Sequence, residues 1–288
     1  MSANQGRASD GWDRHADTYM RVGSPLTGYI SQTLFHTAAG RLPAGARVLE
    51  VACGNGELSR AAALYLRQQQ RATGRAGQVV ATDFSAAMVA LAQRTLAGLG
   101  EEGLVRCEVQ DGQALGYAAE TFDAVFSAFG IFLFPDRAAG WREAARVLRP
   151  GGLLATAVWR GPEHNELTRM QTAPLLAALP EAVRASLPRP GWLEIATAEG
   201  LVQEVCAAGF VEPEVTVFDA WLTVPTPATL WDMMQENPFT KPLLAACSAA
   251  ELAAVERAML DALEARAGGA QLPLQLGASC HLLIARRG

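Results

Sequence analysis

A carboxylate and two glycines lie close together at the end of the first strongly apolar segment of the chain. Residues 48–52 form a short apolar run in which Glu50 is the only charged side chain, and Gly54, Asn55 and Gly56 follow it. Such a run predicts a buried parallel strand, and the glycines predict a sharp turn into a helix, where a ligand can lie against backbone that has no Cβ. A carboxylate facing that turn favours a cationic ligand, because a pyrophosphate group prefers bare amides and a helix N-terminus.

A second carboxylate follows the next predicted strand. The apolar segment 78–82 ends at Asp83 and Phe84, and Ser85 is a suitable N-cap for the helix that follows. An acidic side chain at the end of the second strand can accept hydrogen bonds from both ribose hydroxyls of a nucleoside bound on the first turn. Phe84 and Met88 are then placed to pack against an adenine ring. Taken alone, Asp83 could also be a simple turn or cap residue.

The glycine turn carries a family resemblance. The segment Val48 to Ser59 resembles the first motif of class I S-adenosylmethionine (SAM) methyltransferases, in the type 11 branch that includes the ubiquinone and menaquinone biosynthesis methyltransferases. That family usually has glycine where this chain has Ala52, which is also small. The run Arg-Val-Leu-Arg-Pro-Gly-Gly at 146–152 matches the family's turn before strand five. The resemblance is strong over about 46–160 and weak over the last two strands, and it implies SAM as the cofactor.

The resemblance also implies roles for residues outside the first turn. Asp111 stands at the family position whose carboxylate accepts the adenine amino group, and this role is preferred over the alternative that Asp111 and Gly112 form an ordinary tight turn. The backbone at Ser127 would meet the methionine end of the cofactor, and the aromatic region after it would border the methyl group. In the family, an aromatic helix near the N-terminus often closes over the cofactor, and Tyr19 is the candidate here.

Apolar runs alternate with amphipathic segments between residues 46 and 159. This pattern predicts an α/β fold with a doubly wound, seven-stranded, mostly parallel sheet and an antiparallel last strand. Strand six is expected at 211–222 and strand seven at 279–285. We expect N-terminal helices covering the cofactor edge at 1–45, the SAM-binding core at 46–222, a helical insertion at 223–276, and the last core strand at 277–288.

The helical insertion between the last two strands is the unusual part of the chain. It carries its own amphipathic helices and is expected to be a substrate lid, with a docked helical pair or a dimer contact as the alternatives. The candidate pocket residues of the insertion are apolar or aromatic: Trp231, Met233, Met234 and Phe239. The loop after Trp159 is expected to contribute to the same pocket.

The catalytic candidates are few, because SAM carries an already activated methyl group and the protein mainly has to position an acceptor. His164, on the loop after strand five, is the best placed general base, with a solvated loop histidine as the alternative. His15 and Tyr19 are second choices. Cys53 lies beside the turn, but its position is freely varied in the family. The histidines and the five cysteines show no metal-binding spacing, so no metal site is predicted.

Charge and hydropathy limit the classes of molecule that the protein is expected to bind. The net charge is -5, only Lys241 is lysine, and the arginines are scattered, so nucleic acid is not expected as a partner. Without a long apolar stretch or a signal-peptide pattern, a cytoplasmic protein acting on a small-molecule acceptor is expected, and it could form a homodimer.

Two rival functions stay open at the level of sequence. A nicotinamide-dependent oxidoreductase would share the sheet and Asp83, but it would need a third glycine where Ser59 stands. A catalytically silent SAM-fold protein, acting as a regulator or scaffold, would keep the same motifs without transferring a methyl group.

Overall fold

A single seven-stranded sheet organises the computed structural model, which describes residues 12, 13, 20, 23–185, 191–237 and 240–288. The strands are β1 Arg47–Val51, β2 Gln78–Asp83, β3 Val105–Val109, β4 Phe122–Ala128, β5 Leu148–Trp159, β6 Phe210–Val224 and β7 Leu274–Arg287. Their spatial order is β3-β2-β1-β4-β5-β7-β6. The first five strands pair in parallel, and β7 is antiparallel to both β5 and β6. The predicted fold class is confirmed.

Helices cover both faces of this sheet. They are α1 Ser24–Ala39, α2 Glu57–Thr73, α3 Ala86–Thr95, α4 Ala97–Glu101, α5 Arg137–Val147, α6 Glu166–Ala178, α7 Glu181–Ala185, α8 Ala198–Ala207, α9 Pro227–Glu236, α10 Lys241–Ala245 and α11 Ala249–Ala267. Apolar residues of α1 and α2 pack on one face, and those of α5 and α8 pack on the other. None of the helices in the described part of the chain has the length and apolarity that a membrane crossing requires.

Short polar side chains set where several helices begin. Ser85 accepts a hydrogen bond from the Met88 amide at 3.1 Å, and Asp136 accepts one from the Ala139 amide at 2.8 Å. Each cap satisfies an amide that has no partner inside its own helix. The predicted N-cap role of Ser85 is therefore confirmed, and it fixes the start of α3 directly after Asp83.

The strand order reverses between β1 and β4, which are neighbours in the sheet. Chains leaving these two strands cross to opposite faces, so a crevice opens beyond their carboxyl ends, where open α/β sheets bind ligands. Because β1, β2 and β4 run in parallel, Glu50, Asp83 and Ser127 all reach this same edge. The sheet thereby brings together side chains that are far apart in sequence.

The last two strands are longer than predicted. Residues 220–224 of β6 pair with 274–278 of β7, so the hairpin extends past the predicted strand ends at 222 and 279. The insertion α9–α11 begins at Pro227 and ends at Ala267, and its apolar side chains pack with α6. Glu166 at the start of α6 accepts hydrogen bonds from the Arg266 guanidinium and the Gly277 amide, which joins the three elements.

The candidate pocket residues of the insertion are buried in its own packing. Trp231, Met233 and Met234 lie in the apolar cluster with α6 and α11, and the Trp231 indole donates to Glu256 at 3.1 Å. Phe239 lies outside the described residues. These contacts match the docked helical pair that was weighed against a lid, because the side chains expected to line a pocket are occupied by helix packing. A lid role stays a prediction.

Candidate functional site

The glycine turn joins β1 to α2 through backbone conformations that are unusual for side-chain-bearing residues. Ala52, Gly54 and Gly56 have φ values of +58°, +53° and +81°. A Cβ on Gly56 would lie 2.8 Å from Cδ1 of Leu96, so this glycine is needed for both its φ and the space around it. The turn is tied to β2 by the Cys53 amide, which donates to the Thr82 carbonyl at 2.8 Å.

Ala52→Gly is expected to stabilise the protein by about 0.5–1 kcal/mol, because alanine pays a steric cost in the left-handed region that glycine avoids. The midpoint of thermal unfolding should rise by about 1–3 °C. Ala61→Gly in helix α2 is the matched control and should lower that midpoint, because glycine weakens a helix interior. A fall in the midpoint for Ala52→Gly would contradict this interpretation.

Glu50 is buried beneath the first turn of α2 and is 3% exposed. Its Oε2 accepts hydrogen bonds from the Ser59 amide at 2.9 Å and the Ser59 hydroxyl at 2.5 Å. Burial raises the pKa of this carboxyl to about 8, against the lowering effect of Ser59. The expected orientation is thus corrected: the carboxylate holds the start of α2 through Ser59 rather than standing open to the turn.

Asp83 links the end of β2 to the glycine turn. Its Oδ2 accepts the Gly54 amide at 3.0 Å, and its Oδ1 accepts the Ser85 amide at 3.0 Å. Burial raises the pKa of Asp83 to about 6, while the hydrogen bonds from backbone amides oppose the rise. Each carboxylate oxygen has two lone pairs, so hydrogen bonds from a ligand remain compatible with this arrangement.

Among the described residues, the largest charge effects on the pKa values of these two carboxyls come from other acids. The largest charge effects on the pKa of Glu50 come from Asp83 and Glu57, and Asp13 acts on Asp83 in the same direction. Buried carboxylates without a neighbouring cation are costly, and such groups often mark functional sites. A ligand with a positive charge and hydroxyl groups fits this set of acceptors, whereas a pyrophosphate would be repelled.

Asp111 and Gly112 lie beyond the end of β3. Oδ1 of Asp111 accepts hydrogen bonds from the Gln113 amide at 2.9 Å and the Gln113 side chain at 3.1 Å, which forms a local turn. A Cβ on Gly112 would lie 2.6 Å from the Phe134 ring and 2.7 Å from Cγ1 of Val51. Packing alone therefore requires glycine at 112. The role of Asp111 toward an adenine stays a prediction.

The exit from β4 contacts the glycine turn. Ser127 is fully buried, and its hydroxyl accepts the Ile131 amide at 3.2 Å. A Cβ on Gly130 would lie 2.5 Å from Cβ of Ala52, so the two backbone segments touch. Phe129, the residue before Gly130, has a φ of +55°. Its ring stacks on that of Trp159, with 4.0 Å between ring centroids.

The N-terminal segment reaches the same edge through a residue that the sequence analysis missed. Oδ1 of Asp13 accepts the Ser85 hydroxyl at 2.5 Å and the Ala87 amide at 3.1 Å. Trp12 and Met20 pack against Met88 in a small apolar cluster beside Asp83. No signal in the local sequence distinguishes Asp13 from a surface aspartate, because its partner is 72 positions away.

The remaining candidates near this edge are placed as follows. Phe84 is partly buried, and Tyr19 and His15 lie outside the described residues. Nδ2 of Asn55 donates to the Ser24 hydroxyl at 2.7 Å, which anchors α1 on the glycine turn. Ser24 was also missed, because serine at the start of a helix normally indicates only a cap.

His164 lies in the loop after β5, where its side chain is 53% exposed and Nε2 is 4.0 Å from Oε1 of Glu163. This exposure is what the solvated-loop alternative predicts. A second histidine, His281, is buried on β7, and its Nε2 lies 3.1 Å from the Ala196 carbonyl. Burial raises the pKa of the Cys53 thiol well above its usual range, which disfavours a nucleophilic thiolate there.

A cleft lies at the opposite, amino-terminal edge of the sheet. It is lined by Arg41, Asp123 and Arg149 among others, around the turn at 150–152. Arg149 pairs with Asp123, and Arg41 pairs with Glu214. Parallel sheets bind ligands at their carboxyl ends, so this cleft is separate from the site built around the glycine turn.

The sheet topology, the glycine turn and the acidic groups beside it define the class of protein: a class I SAM-dependent methyltransferase fold. Residues 49–156 match the family described as Methyltransf_11, a methyltransferase domain. The resemblance recognised in the sequence is confirmed.

Individual relatives agree with this assignment. The ubiquinone/menaquinone biosynthesis C-methyltransferase UbiE of Geobacter sulfurreducens is 35% identical over 136 residues, which cover 47% of this chain and 50% of the relative. The chain thus spans about half the length of the curated relatives it matches. The YcgJ protein of Bacillus subtilis has a similar fold, with a TM-score of 0.57, 15% identity, and coverage of 90% of this chain and 98% of the other.

A third likeness shows what the fold leaves open. The [4+2]-cyclase SpnF has a TM-score of 0.50 and 23% identity, over 90% of this chain and 81% of the other. At this identity the likeness concerns the fold alone. Since one similar fold belongs to a cyclase, the reaction has to be argued from the site.

Proposed function

We propose that this protein binds SAM at the carboxyl edge of its sheet and transfers the methyl group to a small-molecule acceptor. The observation that carries the proposal is the pair of buried carboxyls, Glu50 and Asp83, on either side of the glycine turn, with acids as their strongest charged neighbours. Their position within the methyltransferase domain at 49–156 supports it. These groups suit a ligand that is cationic at one end and carries ribose hydroxyls.

Different residues at the carboxyl edge of the sheet would contact different parts of the cofactor. Asp83 would accept hydrogen bonds from the ribose hydroxyls, with Asp111 reaching the adenine amino group and Phe84 and Met88 packing on the ring. Further contacts would come from the backbone of the first turn and of the β4 exit, and from the N-terminal segment: Ala52, Gly54, Asn55, Gly56, Gly112, Ser127 and Tyr19. Glu50 would act through Ser59, whose amide and hydroxyl it accepts beneath the turn.

When bound, SAM supplies a methyl group on a positively charged sulfur, which makes that carbon electrophilic. The chain has to exclude water, hold the acceptor atom in line with the methyl group, and allow a proton to leave the acceptor. His164 is the candidate for accepting that proton, and its exposed position suits a relay to solvent. No metal is invoked in this scheme.

The acceptor class follows from charge and from the relatives. A quinol-like or natural-product acceptor is supported by the named activity of the Geobacter relative, quinone C-methylation. The net charge of -5 disfavours a nucleic-acid substrate. We further propose that the protein works in the cytoplasm, where SAM is available, and that a homodimer is compatible with the insertion as a contact.

Calorimetric titration with S-adenosylhomocysteine, SAM and NAD tests the proposal at its first step. Binding of the two adenosyl compounds without NAD is the expected result. Transfer of the labelled methyl group from methyl-tritiated SAM to a panel of phenols, enols and amines then tests the reaction. Binding of NAD alone would refute the cofactor assignment, and SAM binding without transfer to any acceptor would favour the silent scaffold.

Asp13→Ala is expected to weaken S-adenosylhomocysteine binding about 3- to 10-fold, because Asp13 is the contact that holds the N-terminal segment against Ser85 beside Asp83. Asp123→Ala is the matched control, since it removes a bond to a backbone amide, that of Arg47, at the opposite edge of the sheet. The control should lower stability without changing affinity. Equal affinities for both variants would show that the N-terminal segment does not contribute to binding.

A further inference from the structure

A stacked pair of aromatic rings stands at the carboxyl ends of the two central strands β4 and β5. The ring centroids of Phe129 and Trp159 are 4.0 Å apart, and their planes differ by 20°. The Phe129 amide donates to the Ala157 carbonyl at 3.0 Å, which holds the first ring beside the end of β5. Trp159 ends β5 and lies opposite Cys280 of β7. The two rings are therefore positioned by the sheet itself.

The pair lies above the strand ends rather than within either face of the sheet. Phe129 and Trp159 are partly buried, and both pack against the apolar clusters of the two opposite faces. Side chains that only filled a core would belong to one face and would be fully buried, as Phe126 and Phe122 are. The stacked rings instead lie at the strand ends and are only partly buried.

Backbone strain places Phe129 next to that turn. Its φ of +55° is costly for a residue with a side chain, and such strain persists where the surrounding structure demands one geometry. The next residue, Gly130, touches the glycine turn: a Cβ there would lie 2.5 Å from Cβ of Ala52 and 2.7 Å from Oγ of Ser127. The ring is thus fixed directly beside the backbone proposed to hold the cofactor.

The charged residue that follows Trp159, Arg160, is bonded to β7. Arg160 donates its amide to the Ser279 carbonyl at 3.0 Å and its guanidinium to the Ser279 hydroxyl at 3.2 Å. Asn165, which is fully buried, donates to the same carbonyl at 3.2 Å and fixes the loop after β5. The loop after β5 is therefore anchored on β7, and the Arg160 guanidinium has its partner there.

We propose that Phe129 and Trp159 form the acceptor platform, and that the methyl acceptor is a planar aromatic or conjugated ring that stacks on them. This inference rests on the proposed function, because it places the acceptor beside the cofactor. Offset stacking adds attraction beyond the burial of apolar area, and it requires a flat ring. A saturated ring of the same skeleton buries similar area but cannot stack. The platform is therefore specific for ring planarity rather than for hydrophobicity alone.

Two probes of matched skeleton test the platform: β-naphthol, which is flat and aromatic, and β-decalol, its saturated analogue. Each is titrated by calorimetry into the full-length protein saturated with S-adenosylhomocysteine. We expect the protein to bind β-naphthol about 10-fold more tightly than β-decalol. Phe129→Leu and Trp159→Leu should reduce this ratio to about 3-fold or less, while Trp159→Phe, which keeps a stacking ring, should retain an intermediate ratio.

Trp221→Leu is the matched control, because Trp221 is 65% exposed on the edge strand β6 and makes no stacked pair with either ring. It should leave the ratio unchanged. Thermal unfolding and S-adenosylhomocysteine affinity identify any variant that does not fold, in which case Trp159→Phe and Phe129→Leu carry the test. Equal binding of the two probes to the wild-type protein, or a full ratio in both leucine variants, would refute the platform.

Failure of the proposed function would look different. If S-adenosylhomocysteine does not bind, the same two titrations are run on the protein alone, and the probe ratio still decides whether the rings form a platform. Loss of cofactor binding with a retained ratio would refute the methyltransferase proposal and leave the ring site standing. Intact cofactor binding with no probe preference would refute the platform only.

Discussion

Asp83→Asn is expected to weaken SAM and S-adenosylhomocysteine binding about 10- to 100-fold, equivalent to about 1.4–2.8 kcal/mol. Asparagine keeps the shape of the side chain but loses the charge and half of the hydrogen-bond acceptors that ribose hydroxyls would use. Asp83 also accepts the amides of Gly54 and Ser85. Asp83→Ala removes all of these bonds and should weaken binding by at least as much, with a larger loss of stability.

Asp123→Asn is the control for this experiment. Asp123 also accepts a backbone amide, that of Arg47 at 2.7 Å, but it lies at the opposite edge of the sheet beside Arg149. Its replacement should reduce stability without changing cofactor affinity by more than about 2-fold. Calorimetric titration with S-adenosylhomocysteine measures both variants. An unchanged affinity in Asp83→Asn would mean that the ribose is held elsewhere.

The free energy of unfolding is expected to fall as the pH rises from about 4 to about 8. The pKa of Glu50 is raised by burial to about 8, and that of Asp83 to about 6. In the unfolded chain both groups ionise near pH 4 to 4.5, so above that range the folded protein binds more protons than the unfolded one. The stability they contribute is complete below the unfolded pKa values and is lost as pH rises through the folded ones.

The expected loss is on the order of a few kcal/mol, since each pKa unit corresponds to about 1.4 kcal/mol. Urea unfolding at about pH 5, pH 6.5 and pH 8 measures this loss of stability. Glu50→Gln should flatten the upper part of the profile, because the amide does not ionise. Glu102→Gln, a change to an exposed carboxyl that pairs with Arg67, should leave the slope as it is in the wild type. A stability that rises over this range would contradict the buried, protonated state of Glu50.

Local sequence was sufficient for the central site. The apolar run before Gly54, the acidic end at Asp83 and the helix cap at Ser85 depend on residues within a few positions of one another, so their structures follow from pattern and spacing. The positive φ at Gly54 and Gly56 is what glycine at a strand-to-helix turn predicts. The doubly wound, mostly parallel sheet with an antiparallel last strand also followed, because parallel strands with alternating helices restrict the topology strongly.

The partners of the site residues could not be predicted in the same way. Asp13 and Ser85 are 72 positions apart, and Asn55 and Ser24 are 31 apart. Serine and aspartate at such places normally indicate caps or surface polarity, and nothing local marks them as partners. The bond from Ser59 to Glu50 spans only nine positions, yet it depends on how α2 folds back over the end of β1.

The helical insertion is a second case in which the elements could be predicted from sequence but their packing partners could not. Its amphipathic helices were recognisable in the sequence, and the structure adds the cap of α11, where Ser248 and Glu251 form reciprocal bonds. Periodicity shows that one face of a helix is apolar, but not which surface covers it. Packing with α6 and the extension of β6 and β7 made Trp231 and Met234 interior side chains.

By itself, the sequence determined the fold class, the glycine turn and the two carboxyls beside it, because backbone geometry and burial pattern are local consequences of residue type. Tertiary structure alone decided that Glu50 is held by Ser59, that Asp13 reaches Ser85, and that Phe129 stacks on Trp159. Those contacts depend on the distances between strand ends in the closed sheet, and a distance between remote residues is a property of the packed chain.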